Sequence, residues 1–414
     1  MIEWSDVDIA VRDAVREFVD KEVRPHLDEL ESGDMEPYPI IRKLFATFGI
    51  AEMARESLDK RLDRLRAGSE SKSGGGGGMF GDGGSAGMGF VLISELCRVS
   101  MGLVTGMGVS LGLTVPTIQS RGTLAQQERW LPELVTYDKI GAWAITEPDS
   151  GSDAFGGMRS NVVRAADGSG DYILNGQKTF ITNGPDADVV VVYAKLDEGD
   201  GADKRDRKVL TFVLDRGMEG FVQAKPFRKM GIHSSRTGEL FFNNVRLGRD
   251  RLLGETEENK SGDGRDSARS SFAAERIGVV SMALGVIEEC LRLCTDYAKT
   301  RTLWGKEIGQ FQLIQLKLAN MEVARMNVRN MLFRVIECGQ TGTPISLSEA
   351  SAMKYYCSQA ATDVAMEAIQ LFGGNGYMTE YRVEQLARDA KSLMIYAGSN
   401  EVQITHVAKG LLGA

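Results

Sequence analysis

Two stretches of this 414-residue chain carry side chains suited to holding a flat ligand: GAWAITEPDSGSD at 141–153 and DYILNGQKTFITNG at 171–184. The first ends an alternating apolar segment in a hydroxyl, Thr146, and then turns through Pro148 and Gly151 with small polar groups exposed. The second holds two β-rich runs either side of Asn175-Gly176, a dipeptide that tolerates the positive φ angles of a type I′ turn, so a hairpin is predicted there. Aromatic Trp143 and Phe180 with the hydroxyls of Thr146, Ser152 and Thr182 could form a flat, half-polar wall. A planar heterocycle such as a flavin needs such a wall, with apolar contact on its face and donors at its edge. By itself the pattern reads first as a plain β-hairpin with a Ser/Thr-rich turn.

The elements that must position this wall are helical on both sides of it. Ser5 can cap a segment whose Val11, Val15, Phe18 and Val19 recur at helical spacing and which ends near Pro25. Residues 55–66 form a charged helix with Leu58, Leu62 and Leu65 on one stripe. The Gly-rich run at 73–89 reads as a flexible loop, because glycine loses most backbone entropy on ordering. Its Gly81-Asp82-Gly83 start fits a dinucleotide fingerprint on paper, but no strand precedes it. Strand signals fill 141–250: VVVVYAKL, KVLTFVLD, GFVQAKPF and GELFFNNVRL, with a charged tip at 197–208. Long helical patterns return over 265–412. Helical, then β, then helical, without βαβ alternation, excludes a Rossmann sheet and predicts a mainly α chain with a central β-domain.

Composition narrows the function further. A net charge of −8 argues against nucleic acid as a partner, which would call for a basic stripe. The five cysteines form no Cys-x-x-Cys pair, and His26, His233 and His406 are the only histidines. That count argues against a His-rich zinc site and leaves a Ser-His-Asp hydrolase very few candidates for its base, and no metal is expected. Cys290 and Cys294, at i and i+4, read as buried small hydrophobes. The N-terminus has acidic residues at once and no basic-then-apolar pattern, so no signal peptide is expected and a cytoplasmic protein is. The uncharged run 99–120 is long enough to raise a membrane span, but its four glycines, hydroxyls and Pro116 favour a buried helix.

The two opening motifs, written T-E-P-x-x-G-S-D and N-G-x-K-x-x-I-T-N, resemble the flavin-holding β-domain of the acyl-CoA dehydrogenase family. The resemblance continues in family order through RTLWGKEIGQFQLIQLKLANM at 301–321, LFGGNGY at 371–377 and RDAKSLMIYAGSNEVQ at 388–403. It implies an N-terminal helical domain over 1–137, a β-barrel flavin-binding domain over 138–253 and a C-terminal four-helix-bundle-type domain over 254–414. It also implies FAD as cofactor, an acyl-CoA substrate, an electron-transferring flavoprotein as electron acceptor, and a homotetramer. Trp143, Ile145, Thr146, Ser152, Phe180 and Thr182 would lie against the flavin, with Phe180 where a tryptophan is more usual. Arg301, Trp304 and Gln312 resemble residues that hold the pyrophosphate and adenine half of FAD from a neighbouring subunit, and Gln370, Gly373 and Gly374 would approach the same part. Ser399 and Glu401 match flavin contacts, whereas local physics asks of them only a helix cap.

Desaturating a thioester between its α and β carbons needs a base for the α proton, placed in a dry pocket that raises its pKa toward working pH. Most family members supply a glutamate from a loop written I-Y-E-G-T, but here that loop reads Ile395-Tyr396-Ala397-Gly398-Ser399. A minority, resembling the isovaleryl-CoA and long-chain enzymes, take the glutamate from an earlier helix just before an arginine, where this chain has Glu275-Arg276. The helical neighbours of Glu275 are Ser271, Phe272, Gly278, Val279 and Met282, none of them a cation. Its alternative reading is an acidic residue near a helix start, favoured by the macrodipole. Arg276 would lie near the mouth where CoA enters, or form a structural ion pair. Tyr396 and Gly398 would line the thioester, and Ser152 would touch substrate as well as flavin. An oxidase or flavin monooxygenase on the same scaffold, and a non-catalytic partner subunit, are the competing readings.

Overall fold

Ser5 caps the first helix as its hydroxyl accepts from the Asp8 N–H while Asp8 reaches back to the Ser5 N–H, closing a capping box. A computed structural model of the chain describes residues 3–68, 87–201, 203–257 and 264–413. Its first helices are α1 (Asp6–Phe18), α2 (Leu27–Ser32), α3 (Tyr38–Thr47), α4 (Ile50–Arg66) and α5 (Met88–Cys97). These are followed by α6 (Met101–Gly108), α7 (Val115–Arg121) and α8 (Leu124–Val135). In α4, Leu58 and Leu62 are buried as the stripe predicts. Of the Gly-rich run, 73–86 lies outside the described residues, and Met88 already opens α5. The stretch Met101–Arg121 is long and apolar enough to cross a membrane, but its apolar window is 72% buried inside the protein's own core.

The middle of the chain is a seven-stranded sheet of β1 (Gly141–Ala144), β2 (Asn161–Arg164), β3 (Tyr172–Thr182), β4 (Val189–Leu196), β5 (Val209–Asp215), β6 (Phe221–Gln223) and β7 (Thr237–Leu247). The strands pair in the order β1-β4-β2-β3-β7-β6, with β5 joined to β4 alone. Strands β4 and β5 form the antiparallel pair whose tip is the charged segment 197–208. Alternate residues of β4 point into two different cores: Val190, Val192 and Ala194 into the interior of the β-domain, Val189, Val191 and Tyr193 toward the helices. That split fastens the sheet to the helical layers.

The predicted hairpin at Asn175-Gly176 is absent. Strand β3 runs straight through it for 11 residues. Gly176 (φ 146°) sits at a register shift against β7, and a Cβ there would meet Ser160 Oγ at 2.3 Å. Its glycine therefore serves a bulge and a close approach instead of a turn.

The C-terminal part is α9 (Gly264–Thr300), a two-strand ribbon of β8 (Thr302–Leu303) and β9 (Lys306–Glu307), α10 (Gln312–Thr341), α11 (Leu347–Phe372), α12 (Val383–Leu393) and α13 (Asn400–Leu412). Helix α9 is its axis: Val279, Val280, Ala283, Val286, Ile287, Cys290 and Cys294 are all buried there. Gly285 lets α9 touch α5, since a Cβ would meet the Ser94 carbonyl oxygen at 2.1 Å. Two spans of core helix and one sheet thus converge on a single 37-residue rod.

Candidate active site

The wall predicted from sequence is held by β1, β3 and the loop between β1 and β2. Asn183, itself left-handed (φ 62°), donates through Nδ2 to the carbonyls of Gly106 (2.8 Å) and Gly141 (2.9 Å), tying α6, β1 and β3 together. Buried Lys178 donates to the Ile145 carbonyl (3.1 Å) and to Glu147 (2.8 Å), whose carboxylate also accepts from the N–H groups of Arg159 and Ser160. The Thr179 N–H donates to the Thr146 carbonyl at 2.9 Å. A register shift between Lys178 and Ile181 leaves Phe180 left-handed (φ 57°), its ring 67% exposed and packed at 5.8 Å against Phe227. Such a bulge re-aims a side chain, here turning an aromatic face outward. Thr182, opposite Thr237 in β7, is half-buried; Ser152 stands on an exposed turn with no described contact to this wall.

Trp143 links the wall to the helices. Its ring stands edge-on to Tyr193 (5.1 Å) and to Phe272 of α9 (6.4 Å), and its buried Nε1 donates to no described atom. A buried indole N–H without a partner, beside an outward-facing aromatic ring and strand ends whose backbone is pinned, fits a planar ring system with acceptor atoms at its edge.

One helical turn beyond Phe272 lies Glu275. It is half-buried, and among the described residues its carboxylate has no hydrogen-bond or salt-bridge partner. Burial pushes its pKa up to about 7, against the opposing charges of Arg276 and Lys354. Arg276 is 3% exposed, donates from Nη1 to Ser351 Oγ of α11 at 3.1 Å, and leaves Nε buried and unpaired. Burial draws its pKa down. It makes no structural ion pair among the described residues, and its guanidinium stands 5.9 Å from the Phe272 ring centroid.

Facing Glu275 is the loop between α12 and α13. Ala397 (φ 56°) and Gly398 (φ 80°) are consecutive left-handed residues, an arrangement that L side chains disfavour. Gly398 is further required because a Cβ would meet Gln403 Nε2 at 2.6 Å. Gln403 holds both carbonyls, donating to Ala397 O (3.0 Å) and Gly398 O (2.7 Å). Among the described residues the N–H groups of Ala397 and Gly398 donate to nothing. Tyr396 is half-buried with its hydroxyl 3.7 Å from Met282 Sδ. Ser399 occupies the N-cap position of α13, but its hydroxyl makes no cap hydrogen bond. Instead the Glu401 carboxylate bends back onto its own N–H and the Ser399 hydroxyl, which hold its pKa below the usual range.

Sequence reasoning missed Lys354. It is fully buried on α11 and donates to Gly398 O (2.7 Å) and Asn400 Oδ1 (2.9 Å), with burial lowering its pKa to about 8. A signal for it existed: a single cation in the stripe Ala350, Lys354, Cys357, Ala361, Ala365 and Ala368, which is otherwise small and apolar.

The remaining residues collect at the opposite end of the bundle. Arg301, Trp304 (φ 48°, 86% exposed) and Gln312 surround the β8–β9 ribbon, with Trp304 edge-on to Phe311 at 5.6 Å. Gln370, Gly373 and Gly374 close α11 beside them, where Phe372 stacks on Tyr297 at 4.1 Å. From Phe272 to Thr300, α9 rises about 42 Å at 1.5 Å per residue. The predicted flavin residues therefore form two groups that a single chain keeps apart.

Comparison with known proteins gives one family along the chain. Family models match for the acyl-CoA dehydrogenase N-terminal domain over 71–138, the middle domain over 142–245 and the C-terminal domain over 262–412. The chain is 33% identical over 410 residues to the acyl-CoA dehydrogenase of Bacillus subtilis, covering 98% of each. Its fold is similar to that of butyryl-CoA dehydrogenase from Megasphaera elsdenii, with a TM-score of 0.83, 32% identity and 100% of both chains covered. A glutaryl-CoA dehydrogenase from Mycobacterium smegmatis in complex with FADH2 is similar at a TM-score of 0.82 and 28% identity, over 99% of this chain and 96% of that one.

Proposed function

This chain belongs to the acyl-CoA dehydrogenase family, FAD-dependent oxidoreductases acting on acyl-CoA, and from that premise we propose that it desaturates a thioester between its α and β carbons with Glu275 as the base. One observation carries the reading: among the described residues the Glu275 carboxylate on α9 is left without a donor, one turn from Phe272, whose ring stands edge-on to Trp143 of the wall. A pKa near 7 leaves such a group part ionised at neutral pH and strong enough to hold a proton once taken, the compromise that acid–base catalysis favours. Bound FAD supplies the hydride acceptor for the β carbon. Trp143, Thr146, Phe180 and Thr182 are the residues that would hold its ring system. The unpaired N–H groups of Ala397 and Gly398 are suited to the thioester carbonyl, where negative charge develops as the α proton leaves. Ala397, small where most relatives carry the base, leaves space opposite Glu275.

The far group of residues supports a flavin shared between subunits. Arg301, Trp304, Gln312 and Gln370 are exposed, and a Cβ at Gly373 or Gly374 would meet nothing within 4 Å, so this chain does not use the space beside them. On α10, Leu313, Leu316, Val323 and Met326 form an exposed apolar stripe that a second copy would cover. We take the assembly to be a homotetramer of two such dimers, passing electrons to an electron-transferring flavoprotein. The test is an anaerobic screen of acyl-CoA thioesters against the yellow protein: desaturation bleaches the flavin and yields the 2-enoyl-CoA. Protein that retains FAD yet is bleached by none of a panel of short, branched, long and aryl acyl-CoAs would overturn the reading. Arg301→Ala should weaken flavin retention and dimerisation together in sedimentation experiments.

A further inference from the structure

We propose that Lys354 is a positioning residue for the desaturation, a buried cation that fixes the left-handed loop opposite Glu275 and serves as the counter-charge to the Glu275 carboxylate. The inference rests on Glu275 being the base. It goes beyond that reading by assigning a role to a side chain on a different helix, one that touches neither the proposed flavin wall nor the base directly.

Geometry supports the first half. A lysine with no exposed surface needs its three donors satisfied. Two of them go to the Gly398 carbonyl and to Asn400 Oδ1, the two ends of the turn that contains Gly398 and Ser399. Asn400 Oδ1 is also held by Ser358 Oγ at 3.0 Å, so α11 contributes two donors to one acceptor at the start of α13. With the Ala397 and Gly398 carbonyls drawn inward by Gln403 and Lys354, the chain has no freedom to flip these peptides. The N–H groups of the same two peptides, those of Gly398 and Ser399, stay on the other side.

Charge supports the second half. Lys354 makes no salt bridge with any described carboxylate, so its ammonium is not neutralised where it sits. The charged and titratable groups that interact with Glu275 are Arg276 on its own helix, Lys354 on α11 and Tyr396 on the loop; beyond them on α13, Glu401 interacts with Lys354 and His406 with Arg276. Of these, Arg276 and Lys354 favour the ionised carboxylate, and burial opposes both. Arg276 is tied to Ser351 one turn before Lys354 on the same helix, so α11 sets the position of both cations.

The test compares Lys354→Met and Lys354→Arg with the parent holoenzyme in the pH dependence of anaerobic flavin bleaching by a substrate acyl-CoA. In the parent the rate should fall on the acid side with a midpoint near 7, and Glu275→Gln should abolish that limb. Lys354→Met should move the limb to higher pH by about one unit, because an opposite charge nearby is worth about that much or more, and should raise KM as the loop loosens. Lys354→Arg should leave the limb near its parental place while still raising KM. A limb that stays put in Lys354→Met, with FAD content and circular dichroism unchanged, would overturn the counter-charge role. An unchanged KM in both variants would overturn the loop role. A parent limb that persists in Glu275→Gln would overturn the reading of Glu275 instead, so the two failures are distinguishable. If Lys354→Met fails to bind FAD, Lys354→Gln, which keeps a donor without the charge, gives the same pH comparison.

Discussion

Of the three glutamates on helix α9, Glu275, Glu288 and Glu289, the first and the last stand about 21 Å apart along one rod, and their surroundings shift them in opposite directions. Glu289 accepts from Arg98 (2.9 and 3.2 Å), Arg292 (2.7 and 3.1 Å) and Arg24 (3.3 Å). Burial raises its pKa, but the Arg292 hydrogen bonds and the charges of Arg98, Arg292 and Arg24 outweigh that and bring it down to about 2. Glu275 has the same burial cause and two cations in range, but no donor on its oxygens, and it rises to about 7. What separates the two is direct hydrogen bonding, not proximity of charge. Glu289, with Glu95 and Arg98, staples α1, α5 and α9 together around a cavity of about 320 Å³. Glu275 staples nothing, which leaves its proton free to move.

The largest effect that would break this contrast is at Glu275. Glu275→Gln keeps shape and hydrogen-bonding capacity but cannot take a proton, and turnover should drop by roughly 10²–10⁴ with FAD content held near parental. Single-turnover flavin bleaching measures it. Glu289→Ala should do the reverse. It leaves three guanidinium groups around an emptied acceptor, a loss of about 3–5 kcal/mol for a broken buried pair, while the rate per folded, flavin-bound subunit stays close to parental. Chemical denaturation alongside active-site-normalised rates would separate the two quantities.

A smaller effect sharpens the comparison through pH. Glu289, lowered in the folded state, contributes stability present above the unfolded carboxylate range and lost as pH falls toward 2. Glu275, raised in the folded state, contributes stability present below the unfolded range and lost as pH rises through about 7. Glu275→Gln should therefore gain stability relative to the parent between pH 5 and pH 8, and Glu289→Gln should not. Thermal melts at the two pH values give the answer.

Much of the molecule was legible in the chain. The switch from 3.6-residue to alternating periodicity and back marks the three layers, because each signal repeats over many residues. The lack of a cation beside Glu275 on its own helix face was legible because its helical neighbours are largely apolar. The Asn175-Gly176 turn misled, since the dipeptide reports only tolerance of unusual φ; β3 spends the glycine on contact with Ser160, a residue 16 positions away. Ser399 misled in a similar way: the N-cap position is right, but Glu401 competes for its hydroxyl. Lys354 escaped because its partners lie on a loop more than 40 residues on, and a lone lysine in a helix ordinarily reads as a solvated face. The two-group arrangement of the residues proposed to hold flavin was suggested by resemblance, while the length of α9 supplies the physical separation.

Removal of the α proton can be measured apart from hydride transfer. An acyl-CoA analogue with sulfur at the β position has no β hydride to give, so incorporation of deuterium at its α carbon in D2O reports the base alone. The parent should exchange that proton readily, Glu401→Gln should exchange at a comparable rate, and Glu275→Gln with FAD bound should be slower by at least about two orders of magnitude. Exchange at the parental rate in Glu275→Gln, or its loss only in Glu401→Gln, would contradict the assignment of the base.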